Sequence, residues 1–96
     1  MLRLRPEAEH DILEAARWYE ERDLGLGAKF IANLDAAFQK IDAGPQRYPE
    51  AHRSLRRALL SHFPYAIFFR DDGDDVLIFA VLHQRSARDV LDERNS

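Results

Sequence analysis

The pattern of apolar and polar positions divides the chain into a first half with helical spacing and a second half with alternating spacing. Between Phe30 and Ile41 the apolar residues fall at i, i+1, i+4, i+7, i+8 and i+11, which is one continuous helical stripe. An earlier helix is predicted to begin at Pro6, because proline fits the first helical position, and to end near Arg22. The short break at residues 25–27 predicts that the two helices form an antiparallel hairpin.

Strands are predicted where aromatic and β-branched residues are separated by turn residues. Three of them follow the helices, at Arg57–Leu60, Tyr65–Arg70 and Val76–Leu82. Residues 71–74 form an Asp/Gly turn between the last two. A short strand at Leu2–Arg5 precedes the helices.

Two further segments complete the predicted order of elements. Residues 46–54 are predicted to be a polar loop, and residues 86–94 a short terminal helix. The order β-α-α-β-β-β-α predicts an α+β fold of two layers, with the helical hairpin packed on a small antiparallel sheet. Because 96 residues support only one modest core, we expect a single domain over residues 1–96.

The last predicted strand is apolar on both of its faces. Strict alternation predicts that one face carries Val76, Ile78, Ala80 and Leu82, and that the other carries Leu77, Phe79 and Val81. Two helices cover only one face of a four-stranded sheet, so something else must cover the second. The candidates are the carboxy-terminal helix, a second copy of the chain and a helix of a partner. We expect a second copy or a partner to take part.

The composition of the chain argues against several kinds of functional site. The chain has no cysteine, which excludes disulfides and thiolate metal sites. The chain has four histidines, at His10, His52, His62 and His83. None of them is spaced with carboxylates as the ligands of a zinc site are. We therefore expect neither a metal nor a cofactor. The sequence contains no stretch of the length that crosses a membrane and no leader-like start, so we expect a cytoplasmic protein with no membrane contact.

The charge is unevenly distributed along the chain. A net charge of −3 argues against general binding of nucleic acid. Residues 44–70 nevertheless carry five arginines against Glu50 alone, whereas residues 71–96 have an excess of acids. This basic segment is either a solvated face with arginine stems on apolar surface or a surface that faces an anionic target.

Two groups of side chains are candidates for chemistry. The first enters the first of the three strands, and it consists of Arg53, Arg56 and Arg57. The second is at the end of the last strand, and it consists of His83 and Arg85, with Arg88 one helical turn further on.

Cleavage of RNA without a metal needs a base, an acid and cations that hold the phosphate. The residues of suitable type are Arg57, Tyr65, His83 and Arg85. Instead of a catalytic role, His83 could have a structural one, as a histidine at the strand end that is hydrogen-bonded to the backbone. Arg85 could likewise have a structural role, as the partner of Asp89 in an ion pair.

Two segments of the second half resemble the RelE/ParE toxin superfamily of type II toxin–antitoxin systems. Residues 57–70 contain the run FPYAIFF, and residues 76–85 end in AVLHQR. The first helix, with Asp11 and Ile12, and the stretch Pro45–Pro49 resemble the family as well. The resemblance implies a bacterial toxin of the plasmid stabilisation type, which arrests growth and is neutralised by a cognate antitoxin.

The superfamily has two activities, and departures from its nuclease pattern favour one of them. The nuclease branch has an arginine after the aromatic residue of the middle strand and a tyrosine in the last helix, where this chain has Ala66 and Leu91. Its lysine-rich strand is replaced by Leu59 and Leu60, and only Arg85 matches a catalytic residue. The resemblance therefore implies the ParE-like branch, whose members inhibit DNA gyrase without an enzymatic step. A ribosome-dependent mRNA endoribonuclease and a non-toxic antitoxin-binding module are the alternatives.

The resemblance also implies two binding surfaces. The candidates for contact with the target are Arg53, Arg56, Arg57, Arg70, His83, Arg85 and Arg88. An amphipathic segment of the antitoxin is expected to lie against the helical hairpin and the apolar sheet surface. The candidates for this contact are Trp18, Leu77, Phe79 and Val81. Both a homodimer and a hetero-oligomer with the antitoxin are compatible with these surfaces.

Overall fold

Five strands form one sheet, and two long helices pack on one of its faces. The computed structural model describes residues 1–94. In chain order its elements are β1 (Leu2–Leu4), α1 (Pro6–Arg22), α2 (Leu26–Ala43), β2 (Glu50–His52), β3 (Leu55–Leu59), β4 (Tyr65–Asp72), β5 (Asp75–His83) and α3 (Ala87–Arg94). One turn of 3-10 helix, Pro45–Arg47, joins α2 to β2. The α+β fold predicted from the sequence is confirmed.

The sheet differs in two respects from the predicted antiparallel sheet of four strands. Its strand order is β1-β5-β4-β3-β2, and β1 runs parallel to β5 with Leu2 opposite Val76, so the sheet is mixed. The predicted loop 46–54 contains the fifth strand, β2, which pairs antiparallel with β3 through Glu50 and Arg56. This strand is short, polar and at the sheet edge, and its side chains therefore show no apolar alternation.

Two contacts fix the helical hairpin: the carboxylate of Glu20 bonds to the turn, and the backbone of Gly27 packs closely against that of Ala16. The carboxylate of Glu20 accepts the backbone N–H of Gly25, at 3.0 and 3.1 Å, and that of Gly27 at 3.0 Å. A Cβ atom on Gly27 would lie 2.7 Å from the carbonyl oxygen of Ala16, so the helices cross where there is no side chain. Within residues 1–94, no helix is long and apolar enough to cross a membrane.

The main core lies between the hairpin and the sheet. The helices contribute the fully buried side chains Ala8, Phe30, Leu34 and Ile41, and the strands contribute Ile67, Phe69, Ile78 and Val81. Burial of these apolar surfaces is the main force that holds the two layers together.

A β-bulge in β5 changes which of its residues share a face. Phe68 pairs with Ala80 and Phe69 pairs with Ile78, so Phe79 is an additional residue in β5. An additional residue reverses the alternation that follows it. The predicted faces of this strand are therefore wrong from Ala80 onward, since Ala80 and Leu82 share the second cluster with Phe79 whereas Val81 lies in the main core.

The bulge separates three of the residues predicted to meet the antitoxin. Val81 is 1% exposed in the core under the helical hairpin. Phe79 is buried in the cluster on the other face of the sheet, and Leu77 is half-buried. The expectation that Leu77, Phe79 and Val81 present one common surface is wrong, because strict alternation overlooks the additional residue.

The carboxy-terminal helix covers much of the second face of the sheet. Ala87 and Leu91 of α3 belong to a second buried cluster, whose strand members include Leu55, Ala66, Phe68 and Leu82. Burial of this part of the face is achieved within one chain. Of the three candidates for this cover, the carboxy-terminal helix is the one seen here, and the expectation that a second copy or a partner also takes part stays a prediction.

Candidate functional site

An ion pair joins the last helix to the first. The guanidinium nitrogens of Arg94 lie 2.6 and 2.9 Å from the two carboxylate oxygens of Asp11, which also accepts the N–H of Val81 at 3.0 Å. Asp11 is 7% exposed. The hydrogen bond to Asp11 raises the pKa of Arg94, although burial opposes the change. This bidentate contact fixes how α3 lies relative to α1.

A cleft of about 810 Å³ opens beside this pair, between α1 and α3. We refer to it as the α1–α3 cleft. Trp18 and Tyr19 line its α1 side, and Val90 lines its α3 side. Tyr65 and His83, at the ends of β4 and β5, also line it. The cleft thus combines an aromatic wall with the charged side chains of Asp11, Glu14 and Arg94.

Tyr65 is part of an aromatic cluster in this cleft. Its ring centroid lies 5.2 Å from that of Phe30, 6.0 Å from that of Tyr19 and 5.4 Å from that of His83. Burial, and then the nearby hydroxyl and carboxylates of α1, raise the pKa of Tyr65. Its hydroxyl therefore holds its proton more strongly than a free tyrosine does.

His83 is hydrogen-bonded to the backbone, as expected if its role is structural. Its Nδ1 accepts the backbone N–H of Arg85 at 3.0 Å. In the neutral ring this bond leaves the proton on Nε2. The side chain of Arg85 is exposed, and over the described part of the chain it forms no ion pair with Asp89.

The residues predicted for RNA cleavage do not come together. Tyr65 and His83 line the α1–α3 cleft on the side of the helical hairpin. Arg57 lines two hollows on the other face, beside α3. In the range 1–94, no group of three histidines or carboxylates is placed to hold a metal ion.

The positions that carry charged or phenolic groups in the nuclease branch are packed with apolar atoms. Ala66 and Leu91 are each 1% exposed, and both belong to the cluster under α3. The helix that would present a catalytic tyrosine instead uses Leu91 to cover the sheet. The sequence resemblance identified the two residues, and the structure adds that they are packed in one cluster.

Two members of the predicted basic group are held by contacts within the chain. Arg53 lies 3.7 Å from the carboxylate of Asp92, and Arg56 donates a hydrogen bond to the carbonyl oxygen of Tyr48. Arg70 lies on β4 opposite Leu77 of β5, two residues along the strand from Phe68, which pairs with Arg57.

Arg57 and Arg88 do come together. They line a hollow of about 290 Å³ between β3 and α3, together with His52, Phe68 and Gln84. A second hollow of about 220 Å³ shares Arg57, Phe68 and Gln84 with it. We refer to the two hollows together as the β3–α3 groove.

Comparison with known proteins agrees with this architecture. A family described as "ParE toxin of type II toxin-antitoxin system, parDE" matches residues 2–88. A solved structure of the chromosomal ParDE TA system from P. aeruginosa has a TM-score of 0.75 and 15% sequence identity, and the match covers 85% of this chain and 92% of that one. At this identity the likeness shows a shared fold. No curated protein matches the chain significantly.

Proposed function

Because the chain belongs to the ParE toxin family of type II toxin–antitoxin systems, we propose that it is a toxin that inhibits DNA gyrase and is neutralised by a cognate antitoxin. The family match carries this proposal, since it extends from β1 to the start of α3 and includes both long helices. The proposed place of action is the bacterial cytoplasm, where gyrase works on the chromosome.

The packing under α3 favours inhibition by binding over cleavage of RNA. Ala66 and Leu91 fill the positions at which the nuclease branch has its arginine and tyrosine. Apolar side chains there offer neither a proton nor a positive charge to a phosphate in the transition state. The proposed toxin therefore has no enzymatic step.

The proposed antitoxin site is the α1–α3 cleft. Trp18 is 47% exposed at the edge of the cleft, and Tyr65 and Val90 supply further apolar surface. An amphipathic segment binds such a groove by inserting apolar side chains that recur along one side. Of the four antitoxin-binding candidates predicted from the sequence, Trp18 is the one that both lines this cleft and is exposed. Val81 contributes only to the floor of the cleft.

The proposed gyrase contact is the surface around the start of α3. Arg85 and Arg88 are exposed there, and Arg57 lies beside them across the β3–α3 groove. Arg53 and Arg56 already have partners within the chain, so we expect them to contribute less. Rim charges of this kind chiefly set the rate of association and its dependence on salt.

The proposal is tested by inducing the protein in bacteria that carry a reporter plasmid. We expect growth arrest together with loss of negative supercoiling in the plasmid, since gyrase introduces that supercoiling. Growth arrest with normal supercoiling and cleaved transcripts, mapped by primer extension, would support the nuclease alternative. Normal growth would support the non-toxic alternative. Co-expression of the antitoxin should restore growth, and size-exclusion chromatography of the two proteins would give the stoichiometry of their complex.

A further inference from the structure

Two carboxylates line the α1–α3 cleft, and a permanent cation balances only one of them. Asp11 is bonded to both guanidinium nitrogens of Arg94, which is the one arginine or lysine among the described residues that line the cleft. Glu14, three residues further along α1, is paired with His10, whose Nδ1 lies 3.5 Å from a carboxylate oxygen. A histidine balances a carboxylate only while it carries a proton. The lining of the cleft therefore has an excess of negative charge at Glu14.

The charge of Glu14 reaches the interior of the cleft as well as the solvent. Its side chain is 68% exposed. Burial raises the pKa of Tyr65, and the charge of Glu14 adds to this increase. The hydrogen bond to Asp11 raises the pKa of Arg94, and the charge of Glu14 adds to that increase as well. A segment that lies in the cleft therefore lies in the field of this carboxylate.

The aromatic wall beside Glu14 suits the stem of a long cationic side chain. Trp18 lies one helical turn from Glu14 on α1 and is 47% exposed. The guanidinium of Arg22 lies 3.4 Å from the centroid of its ring, so the indole already stacks with a cation of the chain itself. Arginine and lysine place their methylene stems on apolar surface and keep the charged end toward water or an anion. An aromatic wall with an exposed carboxylate beside it therefore favours a basic side chain over an acidic one.

We infer that the antitoxin segment in the α1–α3 cleft carries an arginine or lysine that pairs with Glu14, and that this pair selects the cognate antitoxin. This assignment rests on the proposed function, because it takes the cleft as the antitoxin site. The net charge of −3 attracts a basic segment over a longer range. An antitoxin with an acidic residue at the same place would be repelled by Glu14, and such repulsion is a source of specificity.

The experiment measures the affinity of the purified antitoxin for the toxin and for three variants, by isothermal titration at low and at high salt. Glu14→Gln removes the charge and keeps the shape of the side chain, whereas Glu14→Lys reverses the charge. Glu9→Gln is the matched control, because Glu9 is an exposed carboxylate on the same helix that does not line the cleft. It changes the net charge of the toxin as much as Glu14→Gln does. Unchanged melting temperatures would show that each variant is folded.

We expect Glu14→Gln to bind about fivefold more weakly than the unchanged toxin at low salt, and Glu14→Lys roughly twentyfold more weakly. Both losses should shrink at high salt, because salt screens an exposed pair. Glu9→Gln should bind as the unchanged toxin does. Each arginine and lysine of the antitoxin segment is then changed in turn to glutamate, and one of these changes should restore the binding of Glu14→Lys.

Two results would overturn the assignment of Glu14 while the proposed function stands. The first is binding of Glu14→Gln that is no weaker than binding of Glu9→Gln. The second is the failure of every charge reversal in the antitoxin segment to restore the binding of Glu14→Lys. An antitoxin that does not bind even the unchanged toxin would overturn both. Growth arrest in cells without the antitoxin tests toxicity separately, and Glu14→Gln should arrest growth as the unchanged toxin does.

Discussion

Arg94, at the end of α3, donates two hydrogen bonds to Asp11, which lies 83 residues earlier in the chain on α1. The same carboxylate accepts the N–H of Val81 directly after the bulge of β5. One buried acid therefore connects the first helix, the strand β5 and the last helix. It also lines the α1–α3 cleft, so the shape of the proposed antitoxin site depends on it.

Removal of one partner of this pair should destabilise the fold. In Arg94→Ala the carboxylate of Asp11 loses two of its three hydrogen bonds while it stays buried, and such losses cost about 3 kcal/mol. Urea unfolding followed by circular dichroism measures the change. Arg88→Ala is the control, because Arg88 is on the same helix and is exposed. A loss in Arg94→Ala no larger than in the control would show that the pair does not stabilise α3.

The turn between α1 and α2 depends on the carboxylate of Glu20. Glu20→Ala leaves the N–H groups of Gly25 and Gly27 without their acceptor, and loss of a helix cap costs about 1 kcal/mol. Gly27→Ala should cost about 1–3 kcal/mol, because its Cβ would press on the carbonyl of Ala16. The control is Glu21→Ala, since Glu21 is exposed next to Glu20. Equal stability of all three variants, measured by thermal unfolding, would contradict this interpretation of the turn.

Trp18 should matter for binding of the antitoxin and little for folding. Trp18→Ala removes an exposed aromatic side chain from the edge of the α1–α3 cleft, and loss of such an anchor costs about 2 kcal/mol of binding free energy. Isothermal titration with the purified antitoxin measures the affinity. Leu24→Ala is the matched control, because Leu24 is a large apolar residue, 90% exposed, that does not line the cleft. If both variants bind equally well, the antitoxin docks elsewhere.

The hydroxyl of Tyr65 should be dispensable for toxicity. Its ring packs in the aromatic cluster, and its raised pKa reflects burial within this cluster. Tyr65→Phe keeps the ring and removes only the proton that a nuclease would use, so cells that express it should arrest as those with the unchanged toxin do. The measurement is colony formation after induction at matched protein levels. Survival of cells with the variant would revive the nuclease alternative.

The sequence predicted the hairpin and the class of fold because these depend on local periodicity. The apolar stripe between Phe30 and Ile41 and the turn residues near Gly25 act over a few positions only. The strand β2 escaped prediction because its three residues are polar and it is recognised by backbone pairing with β3. The bulge at Phe79 escaped because it is visible only when β4 and β5 are paired.

The sites could be predicted only in part, since they depend on contacts between distant segments. Asp11 stood out in the sequence only through the family resemblance, and nothing local pointed to Arg94 as its partner. The sequence placed Arg57 in the first group of candidates and Arg88 in the second, and nothing in it showed that the two line one hollow. That placement results from the packing of Leu91 and Ala87 on the sheet, which brings α3 against β3.

Inhibition of gyrase in a purified system tests the central claim most directly. Relaxed plasmid, ATP and gyrase are incubated with increasing amounts of the toxin, and the supercoiled product is measured on a gel. The account predicts that supercoiling falls with toxin concentration and returns when the antitoxin is added in equal amount. Unchanged supercoiling at a large molar excess of a toxin preparation that arrests growth in cells would contradict it.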